Sequence, residues 1–595
     1  MNVKTSLEMS NDISKPEQLI TEHIDIWTSA ILAKSSSGRG SSKRYELYGI
    51  TKLRELILEL AVRGKLVPQD TNDEPVSIIL KKINDKKSEL IKNGDVKVRS
   101  LPKITDEEVI SDLPVGWKVI RLGNAMNVLN GRAYKKHEML QEGTPLLRVG
   151  NLFTSKEWYY SDLELEPDKY INNGDLIYAW SASFGPFIWE GDKVIYHYHI
   201  WKLDLYDDTA LSKAYLYNYL LSITKKIKAS GNGIAMIHMT KGRMEELILP
   251  IPPLEEQKRI VAKVDELMLL CDQLEQQTEV SIEAHATLVK VLLSTLTDSA
   301  DADELAQNWA RIAEHFDSLF TTEQSIEALK KTVLQLAVMG KLVPQNPEDE
   351  TASVLLEKIA EEKERLIKDK VIKKEKPLPA ITDDEKPFEL QTGWVWGRVN
   401  DIAHLKGGFA YKSKEFLDVG TYQVIRMGNI RPDNLRLDKN SVYIPEGLAE
   451  STQDYRINTG DILLTMTGTN GKEDYLYSLV VLDTHLLDQQ LYLNQRLCRL
   501  RPILMNVDFL NIALKEPQLK KPIFNQSTGS ANQANIGMGV ISHWVLPVPP
   551  LAEQHRIVSK VDELMAICDQ LKQKLKQSQE TQVQLTDALI DRALG

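Results

Sequence analysis

Two short stretches set a glycine, an aromatic ring and closely spaced cations side by side: Gly131-Arg132-Ala133-Tyr134-Lys135-Lys136 and Gly408-Phe409-Ala410-Tyr411-Lys412-Ser413-Lys414. A glycine turn lets a backbone approach closely, and cations beside it suit phosphate clamping. Arg132, Lys135, Lys136, Lys412 and Lys414 are therefore candidate contacts to a nucleic-acid backbone, against the alternative of a solvated turn whose tyrosine is core. A second pair of stretches, Trp180-Ser181-Ala182-Ser183-Phe184 and Met466-Thr467-Gly468-Thr469-Asn470 with Lys472 beyond, carries small hydroxyl and amide groups at a strand end. Ser181, Ser183, Thr467, Thr469, Asn470 and Lys472 can reach base edges, although such residues also build ordinary turns. The third pair is amide-rich, with Asn232, His238 and Lys241 in one stretch and Gln526, Ser527, Asn532, Gln533 and Asn535 in the other. Asn and Gln can pair with adenine in the major groove, so direct reading of bases is expected here.

Residues for bond-making chemistry are not found in matching positions. Gly468-Thr469-Asn470-Gly471-Lys472 lacks the spacing and the following hydroxyl of a phosphate-binding loop. There is no Asn-Pro-Pro-aromatic methyltransferase signature and no His/Cys cluster with ligand spacing. The 3 cysteines form no CxxC pair, which argues against a structural metal or a disulfide framework. A duplicated enzyme would repeat its acid, base or nucleophile, yet His137 faces Lys414 and Ser183 faces Thr469.

The pairing of these stretches follows from a tandem repeat of the whole chain. Leu60-Ala61-Val62-Arg63-Gly64-Lys65-Leu66-Val67-Pro68-Gln69 recurs as Leu336-Ala337-Val338-Met339-Gly340-Lys341-Leu342-Val343-Pro344-Gln345, and Pro252 through Leu274 recurs from Pro549 through Leu571. The offset is 292 at Glu22-His23-Ile24-Asp25 and Glu314-His315-Phe316-Asp317, 276 or 277 from the Leu-Ala-Val segments to Gly116-Trp117 and Gly393-Trp394, 278 at Arg148-Val149-Gly150-Asn151 and Arg426-Met427-Gly428-Asn429, 286 at Gly174-Asp175 and Gly460-Asp461, and 297 at Pro-Pro-Leu. Insertions gather after the tryptophan, as in loops that vary for recognition on a constant frame. Arg148-to-Asn151 and its partner persist in both copies, which favours a structural or phosphate role over base discrimination. The first copy also has its own Ser/Gly loop around residues 35–42.

The frame reads as helix. Ile260, Val264, Leu267, Met268, Cys271 and Leu274 form one stripe, repeated by Ile557, Val561, Leu564, Met565, Cys568 and Leu571. Each helix starts after Pro-Pro with glutamate in its first turn and runs to Leu296 or Leu589, on the order of 60 Å. Such rods pairing antiparallel would make a rigid spacer. The variable segments read as mixed α/β, with short strands such as 175–180, 193–198, 461–466 and 477–482 and helices at 214–228 and 507–520. Trp117 and Trp394 read as core anchors.

Charge is distributed unevenly. The chain carries 73 basic and 84 acidic residues, but residues 114–250 and 391–547 each hold 16 basic against 15 acidic, leaving the frame acidic. Neither variable segment should grip DNA strongly by itself, so tight phosphate binding is expected to come partly from partners. Met1 to Ser6 includes no apolar leader and no later stretch approaches the roughly 20 apolar residues of a membrane span. A cytoplasmic, membrane-free protein is expected.

The Pro-Pro-Leu-x-Glu-Gln-x-Arg-Ile-Val-x-Lys-Val-Asp-Glu-Leu element after each segment, the Gly-Trp lead-in, the Gly-Asp strand and the two-copy layout resemble the specificity subunit of type I restriction-modification enzymes. The Gly-Lys-Leu-Val-Pro-Gln segments look most like the type IB branch. The resemblance implies an α/β (mixed α+β) chain with an internal pseudo-twofold repeat, in which two globular target recognition domains are separated by long, antiparallel paired helices. The expected divisions are an N-terminal helical conserved region (1–113), recognition domain 1 (114–250), a central long helix (251–300), a second helical conserved region (301–390), recognition domain 2 (391–547) and a C-terminal long helix (548–595). The resemblance also implies that each domain reads one half of a split, non-palindromic site on double-stranded DNA. Expected partners are two methyltransferase subunits and restriction/translocase subunits, with S-adenosylmethionine, ATP and Mg²⁺ on those partners and no cofactor, metal or catalysis in this chain. The rival reading is a helical adaptor that binds no DNA.

Overall fold

The computed structural model describes residues 16–33, 45–97, 99–105, 108, 113–181, 183–229, 239–300, 302–530 and 533–594. The Ser/Gly loop at 35–42 and the candidates Asn232, His238 and Asn532 lie outside them. The chain divides into unit 1, Met1–Ser281 with Ser578–Gly595, and unit 2, Ile282–Gln577.

In unit 1 two short helices, Pro16–Glu22 and Ile24–Ser29, and an antiparallel pair, Ile31–Ala33 with Tyr45–Leu47, precede helix α1 (Tyr48–Val62), which buries Leu53, Leu56, Ile57 and Leu60, and α2 (Val76–Asn93), which buries Val76, Ile79 and Ile83. Strands follow as β1 (Lys118–Arg121), β2 (Met126–Asn130), β3 (Thr144–Leu147), β4 (Leu176–Ser181), β5 (Ser183–Ile188), β6 (Val194–Tyr196) and β7 (Ile200–Leu205). Helix α3 (Lys213–Ala229), strand β8 (Ile248–Ile251) and the 45-residue helix α4 (Leu254–Asp298) follow. One sheet has the order β2-β7-β4-β5, a second pairs β3 parallel with β6, and β8 closes antiparallel on β1.

Unit 2 repeats the plan. Helices α5 (Glu323–Val338) and α6 (Ala352–Lys368) lead into β9 (Val395–Arg398), β10 (Ala403–Gly407), β11 (Tyr422–Ile425), β12 (Ile462–Thr465), β13 (Thr467–Gly468), β14 (Ser478–Val480), β15 (Gln490–Leu493) and β16 (Leu497–Pro502). After α7 (Val507–Lys515) come β17 (Thr528–Ser530), β18 (Gln533–Asn535), β19 (Val545–Val548) and the 44-residue helix α8 (Leu551–Leu594). The sheet β10-β16-β12-β14, the parallel pair β11–β15 and the closing pair β9–β19 match their unit 1 counterparts.

The repeated words of the sequence turn out to be the joints of each unit. Trp117 donates to Glu256 in the first turn of α4 at 3.0 Å, and Trp394 donates to Glu553 of α8 at 2.9 Å, both pairs buried. Arg259 forks onto Asp73 and Arg556 onto Asp349, each with a shortest bond of 2.6 Å. Gln257 accepts from Ser212 N and donates to the Pro252 carbonyl, and Gln554 does the same with Asn506 and Pro549. The lysine of Gly-Lys-Leu-Val-Pro-Gln caps a helix end: Lys65 donates to the Leu594 carbonyl, and Lys341 to the Thr297 and Ser299 carbonyls, at 2.7–3.0 Å.

The stripe of each long helix is buried as its spacing requires, with Ile260 and Cys271, and Ile557 and Cys568, fully enclosed. All three cysteines are free and buried, and burial pushes the Cys271 and Cys568 thiols up to about 11, far from reactive. Helix α4 is long and apolar enough by composition to cross a membrane, a feature its sequence reading missed. Its Val289, Leu293 and Leu296 instead enter the unit 2 core with α5 and the start of α8.

Several expected elements end early, the strands read over 461–466 and 477–482 at Thr465 and Val480 among them. The stretch 507–520 is broken at Glu516, because Pro517 disfavours helical backbone before it; Glu516 instead caps a second helix, Pro517–Phe524, accepting from Leu519 N at 2.7 Å. The strand read over 193–198 stops at Tyr196, and His197-Tyr198-His199 form a turn into β7.

Candidate nucleic-acid interface

The glycine-aromatic stretches sit beside the ends of β6 and β15. Lys135, Lys136, Lys412 and Lys414 are exposed, while Tyr134 and Tyr411 are buried at 8% and 6% exposure, so the tyrosine anchors each turn and the lysines remain outside. Glu138 organises the first turn by accepting a fork from Arg132 and the Lys135 backbone N–H at 2.8 Å. The Arg132 guanidinium holds the Glu138 carboxyl down to about 2. Glu415 accepts from Lys412 N in the same way at 3.1 Å.

The second and third candidate stretches meet in unit 2. Strand β13 leaves the β10-β16-β12-β14 sheet and pairs with β18 of the β17–β18 hairpin, Thr467 opposite Asn535. Much of the hydrogen-bonding capacity is used inside this small sheet. Thr467 donates to Asn535 at 3.0 Å, Gln533 donates to the same Asn535 oxygen at 3.2 Å, and Thr469 donates to Asp474 at 2.6 Å. Gln526 donates to the Pro522 carbonyl at 3.3 Å, Ser527 is half-buried, and Asn470 and Lys472 are exposed. In unit 1, Ser181 and Ser183 face each other across the tip of the β4–β5 hairpin. Lys241 opens a short helix, Lys241–Glu246, with its ammonium 3.5 Å from Glu245.

The anchors kept in both copies are structural at the asparagine and the aspartate. Asn151 and Asn429 accept from the backbone N–H of Arg148 and Arg426 at 3.1 and 2.9 Å. The Gly-Asp aspartates fold back on their turns, Asp175 accepting from Asn172 N and Asp461 from Asn458 N, and pair with Lys202 and Arg501. Arg148 lies over the Tyr159 ring at 4.3 Å.

Sequence reasoning passed over the turn at the centre of each group. His197-Tyr198-His199 and Asn494-Gln495-Arg496 follow β6 and β15 and are linked by backbone bonds to the glycine stretch on one side and to Trp180 or Met466 on the other. Their offset of 297 equals that of the Pro-Pro-Leu element, a signal present in the sequence once the repeat is aligned to its end. Burial pushes the His197 imidazole down to about 4, helped by His199 and Arg148, so this ring is neutral at physiological pH. Trp180 stacks on Trp201 at 5.2 Å and donates to the Tyr198 carbonyl at 3.1 Å, fixing the turn from below.

Two matched sheets, each ending in a cluster of polar loops and carried on a long helix, define a duplicated recognition chain, and the type I restriction modification DNA specificity domain matches residues 114–284 and 391–580. The chain belongs to the specificity subunits of type I restriction-modification enzymes, on the type IB-like side. It is 39% identical to the type I restriction enzyme EcoAI specificity subunit of Escherichia coli, over 97% of this chain and 100% of that one. It is 37% identical to the EcoEI specificity subunit of the same organism, again over 97% and 100%. A chain solved in work on assembly and conformational transition of a type I system is 17% identical, covering 81% of this chain and 98% of its own, with a TM-score of 0.47.

Proposed function

We propose that this chain selects the DNA site for a type I restriction-modification complex, with residues 114–250 and 391–547 each reading one half of a split, non-palindromic sequence. The observation that carries this reading is the contrast within the repeat: the Trp–Glu and Arg–Asp joints on the long helices recur in both copies, while the loop clusters differ in composition and build. A constant frame with different readers suits two different half-sites held at a set separation, near a helical turn of about 10 bp on one face of the duplex. Helices α4 and α8 set that separation and dock two methyltransferase subunits; restriction/translocase subunits join the same assembly.

Chemistry belongs to those partners. S-adenosylmethionine, ATP and Mg²⁺ are bound there, and the methyltransferase takes the target adenine out of the stack. Among the described residues no group of three His, Cys, Asp or Glu is placed to hold a metal ion. The complex works in the cytoplasm. The helical adaptor reading lacks an account of why the loops diverge and the frame does not.

Mapping N6-methyladenine in a host that expresses this chain with its methyltransferase subunit tests the proposal. A split motif is expected, and exchanging residues 391–547 for a related domain should change one half only. Absence of new methylation from a confirmed complex would overturn it. The lysines make a separate prediction. Lys135→Ala with Lys136→Ala should weaken binding of specific and random duplexes alike and reduce the slope of log K against log salt by up to about 1.8, roughly 0.9 for each phosphate left without its cation. Weakening confined to the specific duplex, in a salt titration by fluorescence anisotropy, would assign these residues to base reading instead.

A further inference from the structure

The turn between β15 and β16 has the same backbone connections as the turn between β6 and β7. Arg132 N donates to Tyr196 O and Tyr198 N returns to Arg132 O; in unit 2, Phe409 N donates to Leu493 O and Gln495 N returns to Phe409 O, all at 2.9–3.1 Å. Trp180 N donates to His199 O and Met466 N to Arg496 O, both at 3.1 Å. Ile200 N closes on His197 O and Leu497 N on Asn494 O, both at 2.9 Å. No side chain of the tripeptide is shared: His-Tyr-His stands where the other copy has Asn-Gln-Arg. Identical presentation with complete exchange of side chains is what a reader on a constant platform requires.

We propose that this tripeptide turn is the specificity-determining element of each domain, with Gln495 and Arg496 contacting base edges in one half-site and Tyr198 and its flanking histidines in the other; this rests on the DNA-reading role proposed above. Gln495 and Arg496 are exposed, and neither side chain has a hydrogen bond or ion pair among the described residues. Four of the surrounding candidates differ in this respect, since Thr467, Thr469, Gln533 and Asn535 already bond to one another or to Asp474. A donor already satisfied inside the protein gains little by turning to a base, whereas an uncommitted guanidinium can fork onto guanine O6 and N7, and a glutamine amide onto adenine N6 and N7. In unit 1 the Tyr198 ring is 40% exposed and lies 4.4 Å and 3.9 Å from the His197 and His199 rings. That arrangement gives a polar aromatic edge with hydroxyl and imidazole groups but no fixed guanidinium, so the two turns should prefer different bases.

The test uses the full chain assembled with its methyltransferase subunit, read by the host methyladenine map and by competition between duplexes carrying the mapped motif and single-base variants of it. Arg496→Ala and Gln495→Ala should relax one or two positions in a single half of the motif, reducing discrimination there about 10- to 100-fold, with the other half and non-specific binding unchanged. Tyr198→Ala should relax the opposite half. An unchanged motif in all three variants would overturn the proposal, as would equal weakening on motif and random duplexes, which is the behaviour of a phosphate-binding group. If the unaltered complex itself yields no split motif, the DNA-reading role fails first, and that outcome is separable because it needs no variant.

Discussion

Arg398→Ala is expected to lower the stability of unit 2 by about 3 kcal/mol, measured by denaturant unfolding of the full chain. The guanidinium is 2% exposed and donates five times: to the Pro379, Ala380 and His543 carbonyls at 2.8–3.3 Å and as a fork to both Glu385 oxygens at 2.9 Å. It thereby ties the segment before the domain to strand β9 and to the end of the domain. Removing one partner of a buried pair costs roughly 3–5 kcal/mol, and the lower end applies because the Glu385 side chain is a third exposed and can rehydrate. Arg398→Lys should recover only part of the stability, since an ammonium cannot make the fork. The same joint predicts acid sensitivity. Arg398, with the Thr382 backbone N–H, holds the Glu385 carboxyl down to about 2, against an ordinary value near 4.3 in the unfolded chain. A depressed folded value adds stability above the unfolded one, and that contribution is lost as pH falls from about 4.3 toward 2. Unit 2 with alanine at 398 should lack this part of the acid transition; an unaltered pH profile would show that the pair contributes nothing. Arg121 repeats the five bonds in unit 1, with Glu108 as its partner, so Arg121→Ala should act on that unit in parallel.

Gly408→Ala should collapse discrimination in one half-site while leaving the other intact. A β-carbon at 408 would stand 1.9 Å from the Asn494 carbonyl oxygen and 2.3 Å from its carbon, and backbone cannot yield as a flexible side chain would. The turn must move, at a cost of about 1–3 kcal/mol typical of forced overpacking, and Gln495 and Arg496 move with it. Gly131 is the counterpart, 2.4 Å from the His197 carbonyl oxygen. Gly428→Ala is the control, because nothing lies within 4 Å of its would-be β-carbon. Methyladenine mapping with Tm measurement decides the matter: a stable Gly408→Ala chain with an unchanged motif would show that turn position does not govern reading.

What was legible in the sequence was whatever the repeat had kept. Gly-Trp, Gly-Lys-Leu-Val-Pro-Gln and Pro-Pro-Leu-x-Glu-Gln-x-Arg could be located because Trp117, Lys65, Gln257 and Arg259 each have partners they must reach, and the Trp–Glu and Arg–Asp pairs recur in both copies. The helical stripe was equally plain, since Ile260, Val264, Leu267 and Cys271 must all face inward. The recognition loops were less so. Their candidates were chosen by residue type, and type does not show that Thr469 is committed to Asp474 or Arg132 to Glu138. The tripeptide turn escaped notice because His197 and Tyr198 continue a run of β-favouring residues; only the backbone bonds to Arg132 and Trp180 mark where the strand stops.

Unit 1 is assembled from both early and late parts of the chain: the Tyr48 hydroxyl donates to Asp587 at 2.8 Å, and Lys65 caps the carbonyl of Leu594. Unit 2, residues 282–577, is continuous. On a ribosome adding about 5–20 residues per second, those intervening residues take about 15–60 s to emerge. Throughout that interval Tyr48 and Lys65 wait for Asp587 and Leu594, the partners that the last residues of the chain bring to the first unit. The half that leaves the ribosome first is the half that finishes folding last.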